Sequence, residues 1–283
     1  MTASRIIDSH CHLSHPQLQP DTRQALQRAA AAGVGACIVP AVDLASSYQV
    51  VGFAERYSGL HGVVIGVAVG LHPQEVVAAT DAAGLAATLA ELRQLATQPA
   101  VVAIGEIGLD FSRNFDAELQ TRWLQAQLEL AAELQLPVII HNRDAAAAVR
   151  NQLGHWRNQL GSSAGSGTRL GVLHAFSGDA ALARWACASG FALGAGGIAT
   201  FKRETELRQT LAGLPKTHVV LETDAPYLAP EPVRGGRNEP AFVRHVAACL
   251  AQARQEQLEV IAAETTAAAL ALFPRLAPLL PTA

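Results

Sequence analysis

Short apolar runs with little polar alternation recur along the chain and are separated by longer amphipathic stretches. The runs consist mainly of Val, Ile, Leu and Ala, a composition typical of strands that are buried on both faces of a parallel sheet. They predict eight strands, over residues 5–8, 35–39, 63–69, 101–104, 138–140, 170–173, 191–194 and 219–221.

The stretches between these runs are rich in Ala, Leu, Gln, Glu and Arg at helical spacing. A Ser/Gly segment over 161–168 interrupts the alternation and is expected to be a flexible loop without function. The predicted helices cover residues 22–32, 85–96, 117–134, 145–160, 180–189 and 204–211, and one or two further helices are expected within 255–273.

This alternation of strands and helices favours right-handed crossovers onto a parallel sheet. Eight such units within about 250 residues match the size of a (β/α)8 barrel. We therefore expect one α/β domain over residues 1–283, a TIM barrel with an extra C-terminal helix and a flexible Pro-rich tail over 274–283. An open, doubly wound sheet is the structural alternative. Its dinucleotide-binding form is disfavoured because no GxGxxG sequence follows the first strand.

The composition places the chain with folded globular proteins, since 50% of its 283 residues are apolar and 16% are charged. The net charge of −3 excludes a general basic field that would bind nucleic acid unaided. Local arginines or metal ions would have to hold a polyanionic substrate. Aromatic residues make up only 5%, and the sequence shows no stacking platform for bases, so a generic nucleic-acid-binding module is the weakest hypothesis.

The four cysteines, Cys11, Cys37, Cys187 and Cys249, form no CxxC pair and are expected to be reduced thiols. Residues 1–10 lack the apolar core of a signal peptide. The longest apolar stretch, around 62–71, is too short to cross a bilayer. These features predict a cytoplasmic protein without a membrane segment, and the sequence indicates no obligate protein partner.

Residue types that ligate metals stand at the ends of five of the predicted strands. In a parallel barrel the carboxyl ends of the strands meet at one mouth, so these side chains are expected to converge. Four imidazoles and two carboxylates can hold two divalent cations, especially when one carboxylate bridges them. The six candidate ligands are His10, His12, Glu106, His141, His174 and Asp224.

Each of these residues also has an ordinary structural interpretation. A histidine after an apolar run, such as His141, is often a solvated strand end, and a lone acid such as Glu106 is most simply part of a helix N-terminus. The HxH pair at 10–12 can chelate, because residues i and i+2 of an extended strand point to the same side. The joint pattern favours metal binding, since five strand ends carry ligand residues and none is expected inside a strand.

Several motifs extend this pattern over nearly the whole chain: IDSHCHL at 7–13, VGLHPQ at 69–74, AIGEIGLDF at 103–111, PVIIHNRDA at 137–145, LHAFSG at 173–178, LETDAPYL at 221–228 and RGGRNEP at 234–240. In this order and spacing they resemble the TatD family of metal-dependent hydrolases, a branch of the amidohydrolase-like barrels. The sequence departs from the family at Ala175, where Cys is frequent, and at Ala268, where Asn is common. Neither residue is a candidate ligand.

The resemblance implies a two-metal site in which His10, His12 and Asp224 hold one cation, His141 and His174 hold the other, and Glu106 bridges the two. TatD-like enzymes are described as Mg²⁺- or Mn²⁺-dependent deoxyribonucleases, some with 3′→5′ exonuclease action, and others only as hydrolases. DNA or a nucleotide is therefore the expected substrate. The ligand set leaves the metal open, because four histidines favour Zn²⁺ or Mn²⁺, whereas Mg²⁺ prefers oxygen donors.

The expected chemistry is phosphodiester hydrolysis by a water that bridges two cations. The cations would lower the pKa of this water and neutralise charge on the phosphoryl oxygens. Asp224 would bind metal and orient or deprotonate the water, and the bridging Glu106 belongs to the same catalytic set. Glu222 is either a supporting residue or general base in this set or a packing residue, and the sequence does not decide between them.

Three further residues are candidates for substrate binding. Arg143, two residues after His141, could bind a phosphate bidentately. His72, in the loop after the third strand, could contact a phosphate or a base. Arg237 belongs to a Gly-rich loop after the eighth strand, where barrels often bind phosphate, although this loop could equally be a solvated segment before a helix near Pro240.

Two other functions stay open as alternatives. An amidohydrolase or lactonase could use the same barrel, but many dinuclear amidohydrolases bridge their metals with a carbamylated lysine, and no Lys occurs within 101–111. A barrel that keeps metal only as a non-catalytic scaffold is disfavoured, because structural sites are usually closed and saturated by protein ligands.

Overall fold

Every run that predicts a strand is a strand of a single parallel sheet, and its eight members are ordered as in the sequence. The computed structural model describes residues 5–76, 82–113, 116–161 and 169–281, so the Ser/Gly segment lies outside the described residues except for Gly161. The strands are β1 Ile6–Asp8, β2 Val34–Pro40, β3 Val64–Val69, β4 Val101–Asp110, β5 Val138–Arg143, β6 Gly171–Leu173, β7 Phe191–Ala195 and β8 Val219–Leu221.

Helices alternate with these strands, as the (β/α)8 prediction requires. One helix between β2 and β3 is not predicted by the sequence pattern. It begins after Asp43, whose carboxylate accepts from the backbone of Ser46 while the Ser46 hydroxyl accepts from the backbone of Asp43. The helices are α1 Thr22–Ala31, α2 Leu44–Tyr57, α3 Ala82–Leu95, α4 Ala117–Leu134, α5 Ala146–Leu160, α6 Ala180–Ala188, α7 Thr205–Ala212, α8 Val243–Arg254 and α9 Leu258–Leu272.

The interior of the barrel is apolar and is filled by one or two inward side chains from each strand, among them Ile38, Val102 and Val220. A second, larger apolar cluster lies between the outer face of the sheet and the helices. The end of α9 and the residues after it pack into the interior cluster, with Phe273 and Leu276 fully buried. The extra C-terminal helix therefore closes the floor of the barrel, and the first part of the predicted tail is packed.

The barrel is completed where β1 meets the end of β8. The backbone N–H of Ser9 donates to the carbonyl of Leu221 (2.9 Å), and that of Asp224 donates to the carbonyl of His10 (2.9 Å). Side-chain hydrogen bonds add to this seam, since the Asp8 carboxylate accepts from the backbone and hydroxyl of Thr223. The two ends of the sheet are thus held together just below the mouth.

The fourth strand is longer than predicted and continues to Asp110. The expectation that no ligand lies inside a strand is therefore wrong for Glu106, which lies within β4, and for His141, which lies within β5. The register of β4 against β5 shifts between Ile104 and Ile107, and such an irregularity re-aims a side chain while the strand continues. Glu106 interrupts the apolar run, although Ile107 and Leu109 beyond it are again fully buried.

Two other expectations concern membrane-spanning helices and the state of the cysteines. Within the described residues, no helix combines the length and the apolar character that a membrane crossing requires. The four cysteines carry free thiols, in agreement with the predicted absence of disulfides.

Candidate metal centre

The structure brings the six candidate ligands together at the mouth of the barrel, in two groups that share Glu106. In the first donor group, Nε2 of His10 lies 3.2 Å from Nε2 of His12 and 3.7 Å from Oδ1 of Asp224. Oδ1 of Asp224 lies 3.5 Å from Nε2 of His12. Oε2 of Glu106 completes the group, 3.3 Å from Nε2 of His10 and 3.7 Å from Nε2 of His12.

The second donor group forms around the other carboxylate oxygen of Glu106. Oε1 of Glu106 lies 2.8 Å from Nδ1 of His141 and 2.8 Å from Nε2 of His174. The two histidine nitrogens are 3.4 Å apart. His72, which the sequence suggests as a substrate contact, also belongs here, because its Nε2 lies 3.4 Å from the same oxygen.

These separations fit ligands of common cations. Two ligand atoms about 2.1 Å from one ion lie about 3.0–3.4 Å apart at octahedral to tetrahedral angles. The donor separations are 3.2–3.7 Å in the first group and 2.8–3.4 Å in the second, within about 0.3 Å of this interval. Glu106 presents one oxygen to each group, as a bridging carboxylate does. Imidazole nitrogens and carboxylate oxygens suit divalent cations, and this mixture does not fix their identity.

The charge states of three donors, His10, Glu106 and Asp224, suit a cation. Burial, together with the neighbouring His174, lowers the pKa of His10, so this imidazole is neutral at pH 7, as a metal ligand must be. Burial disfavours the ionised form of Glu106, but the imidazoles of His174 and His10 hold the pKa of this carboxyl well below its usual range. Burial likewise opposes ionisation of Asp224, and the hydrogen bond from His12 prevails and lowers its pKa.

The first donor group is positioned mainly by backbone hydrogen bonds across the seam between β1 and β8. The N–H of His12 donates to the carbonyl of Ala225 (2.7 Å), and the N–H of Asp224 donates to the carbonyl of His10. Because each bond joins the two ligand-bearing segments directly, the seam fixes the position of the histidine pair relative to Asp224.

Asp8 strengthens this seam and is not among the predicted site residues. Its carboxylate is fully buried and accepts from the backbone N–H (2.9 Å) and hydroxyl (2.7 Å) of Thr223. Burial raises the pKa of Asp8 to about 7 despite these hydrogen bonds. The signal that could have found it is an acid at the last position of an apolar strand, two residues before the HxH pair.

Glu222 lies behind a ligand of the second group. Its carboxylate is fully buried, with Oε1 3.8 Å from Nδ1 of His174, and it accepts a hydrogen bond from the backbone of Ala175. The carboxylate packs against Gly194, where an added Cβ would come within 2.1 Å of it. This position suits a residue that orients His174, and it does not suit a general base that reaches the mouth.

Asp110 stands in the same relation to His141 and is likewise missing from the predicted site. Its Oδ2 lies 3.5 Å from Nε2 of His141 and accepts from the side-chain amide of Gln74 (2.5 Å). Burial opposes its ionisation, but hydrogen bonds from Ser112 and Gln74 lower the pKa of Asp110 to about 2. A carboxylate behind a ligating histidine fixes the ring and raises its basicity.

The two candidate arginines differ in what they contact. Arg143 is exposed at the end of β5, and no hydrogen bond or ion pair of its guanidinium occurs among the described residues. Arg237 donates to both carboxylate oxygens of Asp21 (2.7 and 2.9 Å) and to the carbonyl of Gln17. Arg237 thus takes part in an ion pair, whereas the guanidinium of Arg143 has no such contact among the described residues.

Comparisons with known proteins agree with this geometry. The sequence model of the family described as TatD related DNase matches residues 7–274. An uncharacterized metal-dependent hydrolase of Bacillus subtilis, YabD, is 33% identical over 269 residues, which cover 95% of this chain and 98% of that protein. A Cronobacter sakazakii protein named 3′-5′ ssDNA/RNA exonuclease TatD is 36% identical over 274 residues, which cover 95% and 97% of the two chains.

A crystal structure shows the same architecture. YjjV, a TatD homologue from Escherichia coli K12, superposes with a TM-score of 0.84 at 33% sequence identity. The match covers 96% of this chain and 99% of that one. With eight parallel strands, a mouth lined by metal-ligand residues and similarity over nearly its full length to metal-dependent hydrolases, this chain belongs to the TatD family of metal-dependent hydrolases.

Proposed function

We propose that this protein is a divalent-metal-dependent phosphodiesterase that removes nucleotides from the 3′ end of single-stranded nucleic acid. The observation that carries the proposal is the pair of donor groups bridged by Glu106, next to a strand end that carries Arg143, which has no ion-pair partner among the described residues. The polarity and the substrate follow the similarity to a protein named 3′-5′ ssDNA/RNA exonuclease, at 36% identity over nearly the whole chain.

His10, His12 and Asp224 would hold one cation, His141 and His174 the other, with Glu106 between them and His72 as a further donor on the second side. When bound, two such cations activate a water and neutralise charge on a transferring phosphoryl group. Asp224 is ionised and its side chain is 13% exposed at the mouth, so one of its carboxylate oxygens can take the proton of the attacking water.

The substrate phosphate requires a donor that the protein does not already use. Arg143 meets this requirement, because its guanidinium is exposed and can bind two phosphate oxygens at once. A free guanidinium favours an anionic substrate over the neutral amides and lactones of the alternative hydrolases.

The mouth is also open, which separates this site from a structural one. The side chains of His12 and Asp224 are each 13% exposed, and that of His141 is 17% exposed. A purely structural metal site is closed around its ion. Partly exposed ligands leave room for water and substrate, so a non-catalytic scaffold is disfavoured.

The test begins with chelator-stripped protein and 5′-labelled single-stranded DNA and RNA. We expect release of mononucleotides from the 3′ end after Mg²⁺, Mn²⁺ or Zn²⁺ is restored, and none without metal. A substrate with a 3′-terminal phosphorothioate should resist. Absence of nucleotide release with every metal would overturn the proposal, and hydrolysis of an amide or lactone panel by the same preparation would establish the alternative.

Arg143→Ala tests whether this arginine contacts the substrate phosphate. It should raise KM for the labelled oligonucleotide by about 10- to 100-fold, the value of a hydrogen bond to a charged group. Arg157→Ala, which removes an exposed arginine from the end of α5, is the matched control and should leave KM within about twofold. Equal effects of the two substitutions would exclude Arg143 as the phosphate contact.

A further inference from the structure

An exposed tyrosine stands beside the first donor group. The turn after β8 carries Asp224, the buried Ala225 and Pro226, and then Tyr227, whose side chain is 48% exposed. The Tyr227 ring centroid lies 6.0 Å from the ring of His12, with the two planes at 74°. The Tyr227 ring is therefore at the mouth, next to a candidate metal ligand.

The backbone of Tyr227 is held on both sides. Its N–H donates to the carbonyl of Asp224 (2.9 Å), and its carbonyl accepts from the side-chain amide of Asn238 (2.6 Å). Asn238 is itself fully buried and also donates to the carbonyl of Thr223 (2.8 Å). The segment that positions Asp224 thus positions the backbone of Tyr227 as well, so a ligand would not have to order this turn.

A second ring borders the same place. His15 lies with its ring centroid 5.6 Å from that of Tyr227, at an interplanar angle of 72°. His15 follows His12 by three residues and is only partly buried. Two rings therefore flank the mouth where the sequence alone shows no aromatic platform.

Tyr48 is an equally exposed tyrosine with which Tyr227 can be compared. Tyr48 on α2 is also 48% exposed, but its hydroxyl donates to Oε2 of Glu91 (2.7 Å). Among the described residues, the Tyr227 hydroxyl has no such partner. Tyr48 is fixed by its polar tip on the outside of the barrel, whereas Tyr227 presents its ring at the site.

We propose that Tyr227, flanked by His15, is the stacking platform for a nucleobase of the single strand whose phosphodiester is held at the metal centre. This inference rests on the function proposed above. Aromatic stacking suits an enzyme that digests strands of any sequence, because every base offers a π face. It also favours single strands, since a base must leave its duplex stack before it can lie on a protein ring.

The first experiment compares hydrolysis of the dinucleotide dTpdT with two versions that each lack one base. Tyr227→Ala should lower kcat/KM for dTpdT by about 10-fold, mainly through KM, because a loss of this size lies within the range of base–aromatic stacking. It should leave one of the two abasic dinucleotides unaffected, namely the version without the stacked base. Tyr227→Phe should behave like the unmodified protein, and Tyr48→Ala is the control for an equally exposed tyrosine.

The second experiment does not require turnover. Equilibrium binding of dTMP and of deoxyribose 5-phosphate is measured with metal-loaded protein, and Tyr227→Ala should weaken only the binding of dTMP, by about 10-fold. If the protein hydrolyses no phosphodiester, the proposed function fails, and this binding difference still decides whether the platform exists. Equal losses for base-bearing and base-free ligands, or no loss for either, would overturn the platform.

Discussion

The two donor groups at the mouth are built from the same kinds of ligand but are positioned in different ways. The first group is fixed by backbone hydrogen bonds between the segments after β1 and β8, such as that from His12 to Ala225. The second group is fixed by buried carboxylates, with Glu222 behind His174 and Asp110 behind His141. Backbone positioning ties the first group to the stability of the barrel, whereas side-chain positioning ties the second group to individual charges.

The largest effect is expected from a substitution that changes both donor groups at once. Glu106→Ala deletes one donor atom from each, so activity should fall by at least about 10³-fold and both metals should be lost. Elemental analysis and the oligonucleotide assay measure these two losses, and circular dichroism checks the fold. A variant that hydrolyses normally would refute the bridging role.

A smaller effect should be confined to the second group. Glu222→Gln keeps the side-chain size and an acceptor for the Ala175 N–H but removes the charge that faces His174. Metal affinity should fall about 10- to 100-fold at one site only, which metal titration monitored by calorimetry can resolve. Glu259→Gln on the exposed start of α9 is the control, and loss of affinity at both sites would show that the groups are not independently supported.

Thr223→Val tests the first group through the seam. The substitution keeps the shape of the side chain and removes the hydroxyl that donates to Asp8. Oδ2 of the buried Asp8 carboxylate then lacks the hydroxyl donor, while Oδ1 keeps the backbone N–H, so the metal-free protein should lose about 1–3 kcal/mol of unfolding free energy. Chemical denaturation of this variant and of the exposed-site control Thr217→Val measures the loss. A stability equal to the control would mean that the backbone bonds alone maintain the seam.

The smallest effect on stability is expected for the surface ion pair between Asp21 and Arg237, which lies outside the first donor group. Hydrogen bonds from Arg237 lower the pKa of Asp21 to about 2, below its value of about 3.9 in unfolded chains. Ionised Asp21 therefore stabilises the fold above about pH 4, and this contribution disappears as the pH falls through 2. Asp21→Asn should cost about 1 kcal/mol or less at pH 7 and flatten the acid limb of a stability profile.

The hydrolytic activity of Asp21→Asn is a second measurement on the same variant. Arg237 precedes Asn238, which binds the carbonyl next to Asp224, so the first group could depend on this surface network. We expect kcat/KM of Asp21→Asn to stay within about twofold at pH 7, because the backbone bonds hold the ligands themselves. A large loss of activity without loss of stability would show that the surface ion pairs also position the first donor group.

The barrel and the convergence of the ligand residues follow from a pattern that is local in sequence. An apolar run followed by a histidine or a carboxylate marks the carboxyl end of a buried strand, and parallel strands share one mouth. The pattern fails at Glu106, because the strand continues beyond the apolar run while its register shifts. A register shift depends on the neighbouring strand and leaves no mark in the strand's own sequence.

Supporting residues are harder to predict than ligands. Asp110 receives one of its hydrogen bonds from Gln74, which lies 36 positions away, and Glu222 accepts from a backbone N–H that lies 47 positions away. Such partners are chosen by tertiary packing, which single-sequence patterns do not contain. The ion pair of Arg237 could not be predicted for the same reason, since its partner, Asp21, lies 216 positions earlier.

The seam between β1 and β8 has a consequence for synthesis. Asp8 and Thr223 lie 215 positions apart, and the first donor group needs residues from both sides of that interval. A growing polypeptide that still lacks β8 therefore cannot assemble this half of the metal centre, whatever the rest of the barrel has already formed. Assembly of the first donor group is thereby postponed until translation has passed the last strand.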